Sequence, residues 1–180
     1  MLAVVGTAIA QSVKGANEYS WHYKMTVTVD TPEGEVSGSA VREMGNGPMS
    51  PLSQNGNPAN VRGEAVVVDM GKRGVLFALI SHQSDLEFYY SFRKYHFDGP
   101  ATVEGSKTFA SLPIGTKEVI NPEKPMGYPK LVTFTDMNDP KSVTEAQVWE
   151  SEFKTGQYFL KEDRMQKLFG KGVHLKEITI

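Results

Sequence analysis

Three oxygen-bearing side chains, those of Asp136, Asn138 and Asp139, fall within four residues and could ligate a hard cation such as calcium. A calcium site needs about six to eight oxygens, and this segment lacks both the turn glycine and the later bidentate glutamate of a calcium loop. The alternative is a turn in which these side chains bond their own backbone and Pro140 interrupts a strand. We expect the turn, and the three residues remain the metal-ligand candidates.

The four histidines of the chain are its other metal-ligand or acid–base candidates. None of them forms a short-spaced pair such as H-x-H or H-E-x-x-H. A cluster of two with a carboxylate would therefore have to form through the fold, and the alternative is solvated or hydrogen-bonded rings. These residues are His22, His82, His96 and His174.

Nucleophilic and phosphate-binding motifs are not recognisable in the sequence. Ser39 and Ser106 each follow a glycine, but neither stands in a G-x-S-x-G elbow. The chain has no cysteine, which removes thiolate chemistry and disulfides. The glycines at 71 and 74 enclose too few residues for a phosphate-binding loop. The sequence thus predicts no catalytic residue and no cofactor.

The stretch from Phe88 to Phe97 interleaves aromatic and basic side chains, a composition that can stack nucleic-acid bases or sugars. The alternative is a strand with its rings in the core and with Arg93 and Lys94 reaching outward. The formal net charge is -2 and the 19 Lys and Arg residues are spread along the chain. Because nucleic-acid binding normally needs a basic face, the charge pattern argues against that partner.

The clearest structural element is a strand at residues 21–30. Aromatic and apolar side chains at the odd positions alternate with polar ones at the even positions, which predicts a half-buried strand with the odd set inward. The turn residues Thr31-Pro32-Glu33-Gly34 follow. Residues 35–44 then return as the hairpin partner.

The rest of the chain predicts further short strands, a long loop and one helix. Residues 45–60 are rich in glycine and proline, which predicts the loop. Met165, Leu168 and Phe169 have helical spacing before Gly170, which predicts a helix at residues 161–169 with Glu162 and Asp163 in its first turn. Residues 107–129 are expected to be irregular. The remaining predicted strands are 61–70, 75–80, 86–97, 131–135 and 174–180.

These elements predict a mostly β fold, in the β-rich α+β class, built as one domain over residues 1–180. Short connections favour antiparallel pairing in a sandwich or partly open barrel of about seven to nine strands, with the one C-terminal helix packed on it. No run reaches the roughly 20 apolar residues that a membrane-spanning helix needs.

Four sequence blocks resemble a family of alphaproteobacterial proteins that have an exported or membrane-anchored N-terminus and no assigned activity. The blocks begin at Tyr23 (YKMTVTVDTPEGE), Gly63 (GEAVVVDMGKRGVLFAL), Leu131 (LVTFTDMNDPKSV) and Phe169 (FGKGVHLKEITI). The resemblance implies a location in the periplasm or cell envelope, and it implies no catalytic residue.

The first 20 residues bear on this location. Residues 1–10 read MLAVVGTAIA and end in the small-x-small pattern of a signal-peptidase site, although the positive n-region is missing. They are either part of a signal peptide or an ordered first strand or helix.

Three hypotheses of function follow. The first is a non-catalytic binding or structural domain of the bacterial cell envelope, which meets a protein or small-molecule ligand through the 45–60 loop and the aromatic strand. The second is a hydrolase whose histidine and carboxylate groups converge only in the fold. The third is a cytoplasmic protein-interaction module.

Overall fold

The computed structural model describes residues 19–46, 59–80, 84–95, 103–120, 128–152 and 158–180. The predicted N-terminal segment at 1–10 and most of the predicted 45–60 loop lie outside these residues. Within them the chain forms ten strands and three α-helices, in the following order: β1 (Ser20–Thr31), β2 (Gly34–Asn46), β3 (Ala59–Gly63), β4 (Val66–Asp69), β5 (Val75–Ala78), α1 (Ser84–Phe92), α2 (Val103–Ala110), β6 (Leu131–Phe134), β7 (Val143–Glu145), β8 (Gln147–Ser151), β9 (Tyr158–Asp163), α3 (Met165–Phe169) and β10 (His174–Thr179).

The first sheet has the order β10-β1-β2-β3 and is antiparallel throughout. The long hairpin β1–β2 is its centre, and it turns at Pro32 and Glu33. The Thr31 hydroxyl donates to the Gly34 carbonyl at 2.8 Å, and Gly34 has a φ of +125°, which L side chains rarely adopt. Local turn chemistry therefore fixes the register of the hairpin.

The second sheet has the order β4-β5-β6-β7, and β8 and β9 form a separate two-stranded sheet. β4 and β5 are joined by a 3-10 turn at Gly71–Arg73, so the predicted hairpin around these residues is confirmed. The sheets are antiparallel and are not closed into a barrel. The predicted mostly β, α+β fold class is thus confirmed.

The hydrophobic core lies between the sheets and beneath the helices. The odd residues 21–29 of β1 are all buried, with Val27 and Val29 fully so, which confirms the predicted alternation. Trp21 packs with Phe88 of α1 and Phe109 of α2, with ring centroids 5.4 and 5.9 Å away. The helices therefore cover the end of the sheet that holds the largest side chains.

The backbones of the two larger sheets come into contact where Gly38 of β2 meets Val67 of β4. A Cβ atom on Gly38 would lie 1.8 Å from the carbonyl oxygen of Val67 and 2.6 Å from its carbonyl carbon. Only glycine leaves room for this backbone-to-backbone contact. Gly38 thus sets the distance between the sheets.

An ion pair is buried in the same interior. Arg42 of β2 is 0% exposed, and its Nη1 donates to Oε2 of Glu87 at 2.7 Å. Its Nη2 donates to the Ala78 carbonyl oxygen at 3.0 Å. Burial of a charged pair requires such satisfied hydrogen bonds. The pair links the first sheet to the end of β5 and to α1.

Three sequence predictions are wrong in detail. Residues 86–97 are predicted as a strand, but residues 86–92 lie in helix α1, where Phe88 and Phe92 are spaced i, i+4 and stack with centroids 4.4 Å apart. The predicted irregular region, 107–129, begins inside helix α2, whose last four residues are 107–110. The C-terminal helix begins at Met165 rather than 161, so Glu162 and Asp163 belong to β9.

The predicted 61–70 strand is also divided. Gly63 has a φ of +142°, and the chain leaves the first sheet there to enter the second one at Val66.

In the described part of the chain, none of the helices combines the length and the apolar character that a membrane span requires.

Candidate functional site

A strip of hydroxyl groups lies on the outer face of the first sheet. Because Val27 and Val29 point into the core, Thr26 and Thr28 point to the opposite face. Thr179 of β10 is the register partner of Thr26. Three threonine side chains consequently lie side by side on two neighbouring strands.

A fifth chain segment extends this sheet beyond β10. Val119 forms an antiparallel bridge with Thr179. The backbone of Glu118 exchanges two hydrogen bonds of 2.9 Å with Ile180, and the Ile120 N–H donates to the Ile178 carbonyl at 2.9 Å. Residues 117–119 thereby form a wall beside the threonine strip.

An open concavity of about 680 Å³ lies between the strip and the wall, and it is here called the threonine groove. Its lining consists of hydroxyl groups, charged side chains and one exposed valine. The lining residues are Lys24, Thr26, Thr28, Lys117, Glu118, Val119, Glu177 and Thr179.

The strand register places opposite charges at the two ends of the groove. Lys24 and Thr28 lie four residues apart on β1, so their Cα atoms are about 13 Å apart. Glu177 is the register partner of Thr28. A lysine therefore stands at one end of the threonine strip and a glutamate at the other.

Lys117 adds a second cation to the lysine end. It lies two residues before Val119, the partner of Thr179, which is in turn the partner of Thr26. Extending that register by two residues brings Lys117 level with Lys24, two strand spacings or roughly 10 Å across the sheet. Both lysines are exposed.

Glu118 does not cancel this positive charge, because it is already paired. Its Oε1 accepts from Lys94 Nζ at 2.6 Å and from the Tyr95 hydroxyl at 3.1 Å. The hydrogen bond between Lys94 and Glu118 raises the pKa of Lys94, so Lys94 stays charged. The lysine end of the groove thus retains the charges of Lys24 and Lys117.

This arrangement suits recognition better than proton transfer. A threonine hydroxyl both donates and accepts hydrogen bonds, so the threonine strip can form hydrogen bonds with amides, hydroxyls or water. Lys24 and Glu177, at opposite ends, are far beyond the roughly 3 Å that proton exchange between two groups requires. Charges at the rim of a binding surface mainly orient a ligand and speed its association.

The predicted metal candidates are not among the residues that line this groove; they lie in the turn between β6 and β7. One carboxylate oxygen of Asp136 accepts from the Asn138 N–H, and one of Asp139 accepts from the Lys141 N–H, each at 2.9 Å. The Ser142 hydroxyl lies 2.7 Å from the Asp136 and Asp139 carbonyl oxygens. These contacts are those of the self-bonded turn.

Among the described residues, no three His, Cys, Asp or Glu side chains gather in a way that could hold a metal ion. The metal hypothesis for Asp136, Asn138 and Asp139 remains a prediction, and the hydrogen bonds favour the turn.

The aromatic and basic stretch does not form the predicted binding strand. Phe88 and Phe92 are 2% and 3% exposed, so their rings are core side chains of α1. The Arg93 guanidinium lies over the Tyr89 ring, 5.8 Å from its centroid, and Lys94 is committed to Glu118. In the described part of the stretch, the two phenylalanine rings are therefore buried and both cations contact neighbouring side chains, whereas Tyr95 is 37% exposed.

The two described histidines do not converge. His22 lies on β1, and His174 is the register partner of Asp30, eight residues farther along the same strand. Their Cα atoms are consequently about 25 Å apart or more along the sheet. His82 and His96 lie outside the described residues.

The groove residues were missed in the sequence because their types are ordinary for the exposed face of a strand. The alternation on β1 does predict that Lys24, Thr26 and Thr28 share one face. Nothing in the sequence indicates that β10 and residues 117–119 lie beside them, since those contacts join segments about 90 and 150 residues away.

Comparisons with protein-family models, with curated proteins and with solved structures find no match to this chain.

Proposed function

We propose that this protein is a non-catalytic binding domain of the bacterial cell envelope that holds a polar ligand in the threonine groove. The observation that carries the proposal is the register that brings Thr26, Thr28 and Thr179 together between a lysine end and a glutamate end. A surface with this lining favours a ligand that replaces water with directed hydrogen bonds and charge contacts.

The envelope location is supported by the resemblance of four sequence blocks to exported or membrane-anchored alphaproteobacterial proteins. The signal-like pattern that ends at Ala10 agrees with it.

The test is photo-crosslinking in the native bacterial host, followed by separation of periplasm, membranes and cytoplasm. A benzophenone amino acid replaces Val119, which lines the groove and is 55% exposed. The control replaces Met137, which is 63% exposed in the turn after β6. Both side chains are accessible, so replacement should leave the fold intact.

We expect a discrete adduct at position 119, recovered with the periplasm or membranes, and none at position 137. Equal labelling of the two positions, or no adduct at 119, would refute binding in the groove. Recovery of the protein from the cytoplasm alone would refute the envelope location and favour the cytoplasmic interaction module instead.

A further inference from the structure

The chemistry of the groove narrows its occupant to one class of ligand. We infer that the threonine groove binds an extended protein segment that carries an acidic and a basic side chain four residues apart. The inference rests on the proposed binding function and adds the partner's chemistry to it.

The spacing of the outward side chains on β1 matches that of the side chains on one face of an extended peptide. Outward side chains on β1 recur every two residues, about 6.7 Å apart. A partner in the extended conformation also presents alternate side chains to one face with this spacing. Its side chains can therefore meet Lys24, Thr26 and Thr28 in succession.

The charges of the groove then define the partner's end residues. The lysine end, with Lys24 and Lys117, complements a carboxylate, whereas Glu177 complements an ammonium or guanidinium group. The ends are separated by four residues of β1, or about 13 Å. In an extended peptide, side chains at i and i+4 span this distance and point to the same face.

The middle of the groove selects polar rather than apolar side chains. Thr26, Thr28 and Thr179 are half-buried hydroxyl residues, and an apolar group placed on them would displace water without replacing its hydrogen bonds. Serine or threonine between the charged positions fits this lining.

The experiment uses labelled pentapeptides and the purified chain, with affinity measured by fluorescence anisotropy at low salt. The matched probes are Asp-Thr-Ser-Thr-Lys and its reverse, Lys-Thr-Ser-Thr-Asp, because the strand direction of the partner is open. The control is Asp-Thr-Ser-Lys-Thr, which has the same composition but places the two charges on opposite faces.

We expect one of the matched peptides to bind about fivefold more tightly than the control, the order of effect of an exposed ion pair. Lys24→Gln should remove this preference, and the same change at the exposed Lys72, in the turn between β4 and β5, should preserve it. Added salt should weaken the preference, because both contacts are solvent-exposed.

Equal binding of matched and control peptides, no binding of either, or an unchanged preference in Lys24→Gln would overturn the inference. A neutral oligosaccharide that competes at the groove where the peptides do not would also overturn it. In each of these cases an adduct at position 119 would still support the proposed function, so the two failures are distinguishable.

Discussion

At the scale of single residues, Gly38 and Arg42 decide how the interior of this protein is assembled. Both lie on β2 and face the core side of the first sheet, where a valine or leucine would be ordinary. Gly38 allows a backbone-to-backbone approach, and Arg42 brings a buried charge that Glu87 neutralises. Substitution of either residue should therefore change the free energy of unfolding.

Replacement of Gly38 by alanine should destabilise the fold by about 3 kcal/mol or more, because the new Cβ would overlap the Val67 carbonyl and the sheets would have to separate. Gly45→Ala is the control on the same strand, since its nearest contact, to Ser20, would be 3.4 Å. Urea unfolding measures both. Similar unfolding free energies for the two variants would contradict the close approach of the sheets.

Breaking the Arg42–Glu87 pair should cost about 3–5 kcal/mol, because either single change leaves a buried charge without its partner. The single variants Glu87→Met and Arg42→Met test the two sides of the pair. The double variant Arg42→Met with Glu87→Met should lose less stability than the sum of the single changes. Strictly additive losses in a double-mutant cycle would show that the two side chains do not interact.

At the scale of elements, Arg73 ties three turns together. Its guanidinium forms two hydrogen bonds with the Glu33 carboxylate, at 2.8 and 2.7 Å, and donates to the Phe169 carbonyl oxygen at 3.1 Å. The β1–β2 turn, the 3-10 turn before β5 and the end of α3 thereby meet at one side chain. Hydrogen bonds from Arg73 lower the pKa of Glu33 to about 2.

This contact should make stability depend on pH in the acid range. A carboxyl whose folded pKa lies below its ordinary value of 4.5 contributes fully above pH 4.5. The contribution is lost as the pH falls towards 2. Urea midpoints of the natural protein and of Glu33→Gln should therefore differ at pH 6 and converge near pH 2. A difference that is constant over this range would refute the proposed linkage.

Some of these elements can be predicted from the sequence and others cannot. The β1–β2 hairpin was predictable because its alternation and its turn residues agree. Helix α1 was not predictable, because aromatic side chains generally favour strands. The i, i+4 pair of Phe88 and Phe92 is explained by its packing in the core, where Phe88 also contacts Trp21.

The predicted start of α3 failed for a related reason. Acidic residues at 162 and 163 fit a first helical turn, but Asp163 pairs with Gln147 of β8 and its carboxylate accepts from the Met165 N–H at 2.9 Å. The pairing partner lies in a different segment of the chain, and local spacing carries no information about it.

At the scale of the whole molecule, the candidate site is a product of topology. β1 supplies part of the groove early in the chain, residues 117–119 supply the wall, and β10 lies between them. Only the β1 face could be predicted from the sequence. The strand register places the lysines and Glu177 at opposite ends of the groove. The net charge of -2 gives no indication of this separation.

If the threonine groove is occupied in the cell, its lysines should be shielded there, and lysine reactivity tests this occupancy without knowledge of the ligand. Acetylation rates would be measured by mass spectrometry for Lys24 and Lys117, with the exposed Lys72 and Lys141 as controls, in the host cell fraction and in the purified protein. We predict slower acetylation of the groove lysines in the host fraction and unchanged rates for the controls. Equal rates for Lys24 and Lys117 in the two preparations would contradict the account.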